Sequence, residues 1–115
     1  DVTLEHQDVL AVETIGRQFD IIVISEVLEH LERPEITLKA LRKLLAPGGN
    51  IFVNVPVNSP APDHIYLWKT PEEVARFAEE ADFRVIDSRN FPVTGYTEEA
   101  ARKFQCTISV TLVLT

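Results

Sequence analysis

Three side chains that can bind a metal or move a proton lie close together in the sequence, and a fourth follows in a later segment. Glu26, Glu29 and His30 form an E-x-x-E-H pattern, and His64 is the fourth. On a helical turn, positions i, i+3 and i+4 share one face, so the first three side chains would converge. Carboxylates with imidazole can hold a divalent cation, whereas histidine also suits proton transfer near neutral pH. The pattern predicts a reactive cluster and leaves both chemistries open.

The segment that leads into this cluster is typical of a buried strand. Residues 20–25, DIIVIS, form an apolar run rich in β-branched residues. Such a run without alternation suits a strand covered on both faces in a parallel sheet. The residues after it, Ser25, Glu26 and Val27, would stand at the carboxyl edge of the sheet, where ligands bind in open α/β folds. The alternative is that Ser25 and Glu26 only cap the short turn VLEHL.

The pattern that follows predicts a βαβ unit. A helix is predicted to begin at Pro34 and to end at the Pro-Gly-Gly turn of residues 47–49, where a glycine supplies a left-handed cap. A strand at residues 50–56 comes next. Since βαβ crossovers are right-handed, this strand should be a parallel neighbour of residues 20–25.

Further elements are predicted on both sides of that unit. Residues 57–69 form a long loop, and a helix begins after it with Thr70 as its cap. Strands are expected at residues 2–10, 83–89 and 107–115, the last with alternating apolar and polar positions. This order of elements indicates an α/β fold.

The bulk composition limits the classes of protein that fit. At 115 residues, with 45% hydrophobic and 25% charged residues, the chain is one globular domain at most. The net charge of −7 argues against a nucleic-acid partner, because phosphate contacts need clustered Lys and Arg. No apolar run is long enough to span a membrane. The single cysteine, Cys106, fits a reducing cytoplasm, and a chain without methionine that begins at Asp1 is expected to be part of a longer one.

Three stretches taken together resemble one enzyme family. FDIIVISEVLEHLERP at 19–34, LRKLLAPGGNIFVNVP at 41–56 and TPEEVARFAEEADFRVID at 70–87 are similar to the second half of class I S-adenosylmethionine-dependent methyltransferases that act on small molecules. The resemblance implies an incomplete Rossmann-like sheet in a single partial domain over residues 1–115. That sheet would contain strands 3–7 of the family's fold with flanking helices, the last strand antiparallel. The glycine-rich turn that approaches the cofactor in this family has no counterpart in the sequence.

The resemblance also implies S-adenosylmethionine as the cofactor and a position for it. Asp8 matches the acidic residue that accepts a hydrogen bond from the adenine amino group, or else it forms a turn. Val9 would pack on the adenine face or in the core. Ser25, Glu26 and Val27 would pass beside the methionine and adenosine portions of the cofactor.

His30 and His64 are the candidate catalytic residues. Either could accept the proton of an acceptor hydroxyl or amine that attacks the cofactor's methyl group. The expected site contains no metal. The alternative, which resembles the small-RNA 3′-end 2′-O-methyltransferases, is a cation held by Glu26, Glu29, His30 and His64.

The expected function is methyl transfer to a small-molecule acceptor by the C-terminal part of a catalytic domain in the cytoplasm. Loops 57–69 and 90–105 do not single out an oxygen, nitrogen or carbon acceptor. The alternative is a non-catalytic remnant that acts as a binding or oligomerisation module. Since an apolar strand at a free edge is a template for another chain, self-association through residues 20–25 is expected as well.

Overall fold

The computed structural model describes residues 1–115, and helices alternate with strands along most of the chain. In chain order the elements are a 3₁₀ helix Val9–Ile15, β1 Phe19–Ser25, a 3₁₀ turn Leu28–His30, α1 Pro34–Leu44, β2 Leu45–Val57, α2 Pro71–Glu80, β3 Val85–Pro92, α3 Glu98–Lys103 and β4 Ile108–Leu114. None of the helices combines the length and apolarity needed to cross a lipid bilayer. This succession confirms the predicted α/β class.

The four strands form one sheet in the order β1-β2-β4-β3. β1 and β2 are parallel, with Ile22 beside Ile51 and Ile24 beside Val53, and α1 lies in the crossover between them. β4 is antiparallel to both β2 and β3. The parallel pair and the antiparallel last strand are therefore confirmed, and β1 forms one edge of the sheet as expected.

One face of the sheet carries the hydrophobic core. The pairing register places Ile24, Val53 and Leu112 in one row, and all three side chains are buried. Helix residues in the same cluster are Leu38, Leu41 and Leu44 of α1 with Val74, Phe77 and Ala78 of α2. The helices are amphipathic, so their apolar stripes meet this face and their charged sides remain in solvent.

The opposite face is open within this chain, which corrects the expectation that residues 20–25 are covered on both sides. Ile21 and Val23 are 63% and 69% exposed. Phe52, the neighbour of Val23 in the register, is 38% exposed. A continuous apolar run predicts two covered faces only when helices lie on both sides of the sheet.

Residues 2–10 do not form a strand, so the fifth strand predicted from the sequence is wrong. Residues 1–8 have no regular structure, and Val2 and Leu4 are fully open to solvent. A strand requires a neighbour that completes its backbone hydrogen bonds. β1 pairs only with β2, so nothing in this chain supplies that neighbour.

The Pro-Gly-Gly turn lies at the start of β2 and does not cap α1. The prediction that a glycine of this turn ends the helix is therefore wrong. Residues 46–49 form a bulge between two points where β2 pairs with β1. Gly48 has a φ of 78° there, a conformation that favours glycine. A Cβ on Gly49 would lie 2.8 Å from the carbonyl oxygen of Asp20. The glycines therefore fit the chain closely against β1.

Candidate functional site

The carboxyl ends of β1 and β2 bring several predicted site residues to one edge of the sheet. Ser25 pairs with Asn54, and its Oγ lies 3.5 Å from Asn54 Oδ1. Glu26 follows with a φ of 55°, a left-handed conformation that is uncommon for a residue with a side chain. Backbone strain of this kind concentrates at functional sites. Ser25 and Glu26 are exposed and Val27 is half-buried, so all three are accessible to a ligand.

The E-x-x-E-H segment is not one continuous helical turn, which corrects the expectation of three ligands on one helical face. Only Leu28–His30 is helical, and Glu26 stands before it. Glu29, His30 and His64 do come together, with one ligand atom of each within 4.8 Å of the others. The fold thus assembles three of the four alternative metal ligands, and Glu26 lies outside that group.

Glu29 is the buried member of the group. Its side chain is 1% exposed, and neither carboxyl oxygen has a hydrogen-bond partner. Burial raises the pKa of this carboxyl, the neighbouring Glu26 raises it further, and His30 lowers it. Two ionised carboxylates cannot hydrogen-bond to each other, so Glu26 becomes a partner only when one of the two is protonated. Glu29 is therefore suited to take up a proton or a cation.

The two histidines lie against each other and against the loop between β2 and α2. Their rings meet edge to face with centroids 4.9 Å apart. His30 Nδ1 is 2.8 Å from the carbonyl oxygen of Asp63, and His64 Nδ1 is 2.6 Å from that of Ser59. On the other side of its ring, His30 Nε2 lies 3.6 Å from Glu29 Oε1. Both predicted catalytic residues are thus in one cluster.

Asp8 and Val9 lie outside this cluster. Asp8 caps the 3₁₀ helix, since its Oδ1 accepts a hydrogen bond from the Leu10 N–H at 2.9 Å. This is the turn-forming role that the sequence left open. Asp8 is exposed and Val9 is half-buried. Leu10 lines the same cleft as His30, so this segment reaches the side of the cluster.

A cleft of about 390 Å³ opens beside His30. Its wall consists of Leu10, His30, Leu31, Glu32, Arg33, Ile36 and Ile65. Small-molecule sites are typically clefts of roughly 300–1,000 Å³ with mostly apolar walls and a few polar groups. This cleft has that size and composition.

A second cleft, of about 310 Å³, lies between the loop and α2 and shares Ile65 with the first. Tyr66 and Trp68 line it. Trp68 is also 3% exposed, and its ring centroid is 5.3 Å from that of Phe77. These aromatic residues therefore also pack the loop onto the core.

Three contributors to the site have no signal in the sequence. Asn54 donates from Nδ2 to the hydroxyl oxygens of Ser109 at 2.8 Å and Thr111 at 3.0 Å. This places a polar row across the sheet next to Ser25. Ser59 and Asp63 act through backbone carbonyls, which every residue type possesses.

Sequence comparison relates the chain to methyltransferases. Residues 3–88 match the model of a family described as a methyltransferase domain. The ubiquinone biosynthesis O-methyltransferase of Cupriavidus pinatubonensis is 27% identical over 111 residues, which cover 76% of this chain and 44% of that protein. The protein of the same description from Idiomarina loihiensis is 43% identical over 47 residues, 37% of this chain and 19% of that protein. The matched part is less than half the length of either relative.

Solved structures relate the chain to a common fold. A S-adenosylmethionine-dependent methyltransferase from Clostridium acetobutylicum has a TM-score of 0.63 at 13% identity, covering 95% of this chain and 62% of its own. The glycopeptide N-methyltransferase MtfA, complexed with (S)-adenosyl-L-methionine, has a TM-score of 0.64 at 17% identity, covering 96% and 63%. The [4+2]-cyclase SpnF has a TM-score of 0.62 at 16% identity, covering 84% and 49%. These likenesses confirm the Rossmann-like sheet.

Proposed function

Because this chain belongs to the family of methyltransferase domains that its residues 3–88 match, we propose that it is the C-terminal part of a S-adenosylmethionine-dependent methyltransferase acting on a small molecule. The observation that carries the proposal is the pair His30 and His64 beside a ligand-sized cleft at the carboxyl edge of the sheet. The fold alone does not decide the activity, because a [4+2]-cyclase shares it. We place the enzyme in the cytoplasm, where a free thiol such as that of Cys106 stays reduced.

In this proposal the turn after β1 would hold the cofactor. Ser25, Glu26 and Val27 would contact its methionine and adenosine portions. Asp8 would accept a hydrogen bond from the adenine amino group, and Val9 would pack on the ring. One oxygen of Asp8 is already bonded to the Leu10 N–H, and the other is free for the adenine amine.

His30 and His64 are the proposed proton acceptors. S-adenosylmethionine would supply the methyl group, and the imidazole of His30 or His64 would take up the proton of an acceptor hydroxyl or amine. Most of the rate in such a reaction comes from holding the two bound partners in line.

A divalent cation is the alternative occupant of the histidine cluster, with Glu29, His30 and His64 as the ligands that the fold brings together. Glu29 favours it, since a buried carboxylate without partners is costly unless charge compensates it. Titration with Mg²⁺, Mn²⁺ and Zn²⁺ distinguishes a cation-binding cluster from a metal-free one. The quantity measured is the midpoint of thermal unfolding. Saturable stabilisation that is lost in His64→Gln supports the cation, and none supports the metal-free site.

Calorimetric titration with S-adenosylhomocysteine tests the cofactor proposal. We expect micromolar binding to the wild-type chain and about tenfold weaker binding to Asp8→Asn, which loses a charged acceptor. Asparagine is an equally good helix cap, so this substitution keeps the local fold. Asp87→Asn, on β3, is the matched control and should bind as the wild type does. No heat at millimolar ligand would contradict the enzyme proposal for this chain.

The second candidate function is a binding or oligomerisation module, and the free edge of β1 favours it. We propose that a second copy of the chain pairs with this edge, because β1 presents unpaired backbone groups next to the exposed Ile21 and Val23. Light scattering should then show a species whose mass rises with concentration. Val23→Lys should remain monomeric, whereas Ile86→Lys, on the opposite edge strand, should associate as the wild type does. A wild-type chain that is monomeric at high concentration contradicts self-association.

A further inference from the structure

We infer that the loop between β2 and α2 fixes His30 and His64 as a matched pair, with the proton of each neutral ring on Nδ1 and the lone pair on Nε2. Ser59 and Asp63 are then positioning residues, because their carbonyl oxygens set which nitrogen of each ring is basic. The catalytic meaning of this arrangement rests on the proposed function, but the assignment of the protons does not.

The assignment follows from what a carbonyl oxygen can do. Asp63 O is 2.8 Å from His30 Nδ1, and Ser59 O is 2.6 Å from His64 Nδ1. A carbonyl oxygen only accepts hydrogen bonds, so each Nδ1 must carry the hydrogen. In a neutral imidazole the other nitrogen is then the acceptor, which places both lone pairs on Nε2.

The carbonyl groups are held in place by contacts on both sides of the loop. The Glu29 carbonyl accepts from the N–H groups of Ile65 at 2.7 Å and Tyr66 at 3.0 Å, which ties the loop to the turn after β1. At the base of the loop, Asn58 donates from its N–H to Trp68 O at 2.9 Å and from Nδ2 to Lys69 O at 3.0 Å. The loop therefore presents its oxygens from a fixed backbone.

This geometry places the basic nitrogen of His30 next to a buried carboxyl. The Nε2 atom of His30 lies 3.6 Å from Glu29 Oε1, and the Glu29 side chain is 1% exposed. A proton taken up at Nε2 therefore lies beside a carboxyl oxygen that has no hydrogen-bond partner. After the transfer, Nδ1–H still donates to the Asp63 carbonyl, and the Asp63 carboxylate oxygen, 3.5 Å from Nδ1, stabilises the new positive charge. The charged ring is thus flanked by the buried Glu29 carboxyl at Nε2 and the exposed Asp63 carboxylate at Nδ1.

Nitrogen-15 NMR of the full chain, at a pH where the rings are neutral, tests the assignment directly. We expect the Nδ1–H pattern for His30 and His64. His6, whose exposed ring makes no hydrogen bond, is an internal control and should show the Nε2–H form preferred in solution. Single His30→Gln and His64→Gln variants assign the signals. An Nε2–H pattern for either clustered histidine overturns the inference.

A variant of the loop base tests whether the loop sets the protons. Asn58→Gly removes the bond to Lys69 O and tolerates the left-handed φ of 49° at this position. We expect it to shift His64 toward a mixture of the two forms. Asn50→Ala, in the middle of β2, should leave the spectrum unchanged, and an unchanged spectrum in Asn58→Gly would contradict a positioning role. These spectra do not depend on S-adenosylhomocysteine binding, so failure of the proposed function and failure of this inference are distinct results.

Discussion

The carboxyl edge of the sheet and the open face of β1 differ in how many contacts the rest of the chain makes with them. At the carboxyl edge, long-range contacts hold the polar groups, as between His30 and the Asp63 carbonyl or between Asn54 and Ser109. On the open face, Ile21 and Val23 are mostly exposed to solvent. The edge is therefore organised by contacts within the chain, whereas the chain leaves the apolar face exposed.

Orienting polar groups and covering an apolar face are therefore two separate requirements, and this chain meets only the first. Charged and polar groups at a ligand edge are useful only when their orientation is fixed, and here a loop more than thirty residues downstream fixes His30. Apolar groups on a sheet face need only to be shielded from water, and many surfaces can do that. A short chain can thus hold a polar cluster in a defined geometry next to an apolar surface that it leaves exposed.

The largest expected difference in the free energy of unfolding is between substitutions on the two faces of β1. Ile24→Ala should lower the free energy of unfolding by about 2–5 kcal/mol, because it empties a buried position in the core. Ile21→Ala, on the open face of the same strand, should change it by less than about 0.5 kcal/mol. Urea denaturation of both variants measures the difference. A cost for Ile21→Ala that grows with protein concentration would show that a second copy covers the open face.

The carboxyl edge itself contains one group that the fold leaves unsatisfied. Glu29→Gln should raise the free energy of unfolding by about 1–3 kcal/mol at pH 7, since it replaces a buried carboxyl without partners by a neutral group of the same shape. Glu32→Gln, an exposed neighbour, is the control and should have no effect. Destabilisation by Glu29→Gln would mean that the carboxylate has a partner, and metal removal by EDTA would then identify a cation as that partner.

Short sequence patterns correctly predicted the starts of helices, which depend on only a few neighbouring residues. Thr70 caps α2 through its hydroxyl, which accepts from the Glu73 N–H at 3.2 Å, and α1 begins at Pro34 as expected. Residues 2–10 carry an equally good local pattern, yet a strand forms only where a neighbouring strand accepts it. The sequence pattern is therefore reliable for helix starts and insufficient for strands at a sheet edge.

The site was predictable in its residue types but not in its geometry. His30 and His64 were candidates because imidazole can accept a proton, and the fold does bring them together. Glu26 was expected to join them through helical spacing, but its left-handed backbone places it before the turn. The oxygens of Ser59 and Asp63 belong to the backbone, so only the path of the loop determines their role.

The smallest expected effect concerns the ion pair of Glu72 and Arg102, which joins α2 to α3 on the side that this chain does complete. Two hydrogen bonds of 2.8 Å from Arg102 lower the pKa of Glu72 to about 2. Because this value lies below the ordinary 4.5, the stabilisation is fully present above about pH 4.5 and is lost as the pH falls toward 2. The Glu72 side chain is 63% exposed, so solvent screening limits the contribution to less than about 1 kcal/mol.

Glu72→Gln should therefore lower the free energy of unfolding by less than about 1 kcal/mol at pH 7, and the deficit should shrink toward pH 2. Urea denaturation at a series of pH values measures it. Glu99→Gln, an exposed α3 carboxylate without an ion pair, should show no such deficit. A deficit that stays constant down to pH 2 would show that Glu72 stabilises α2 and α3 by packing and not by its charge. The contact between the two helices would then be apolar in character, as the open face of β1 is.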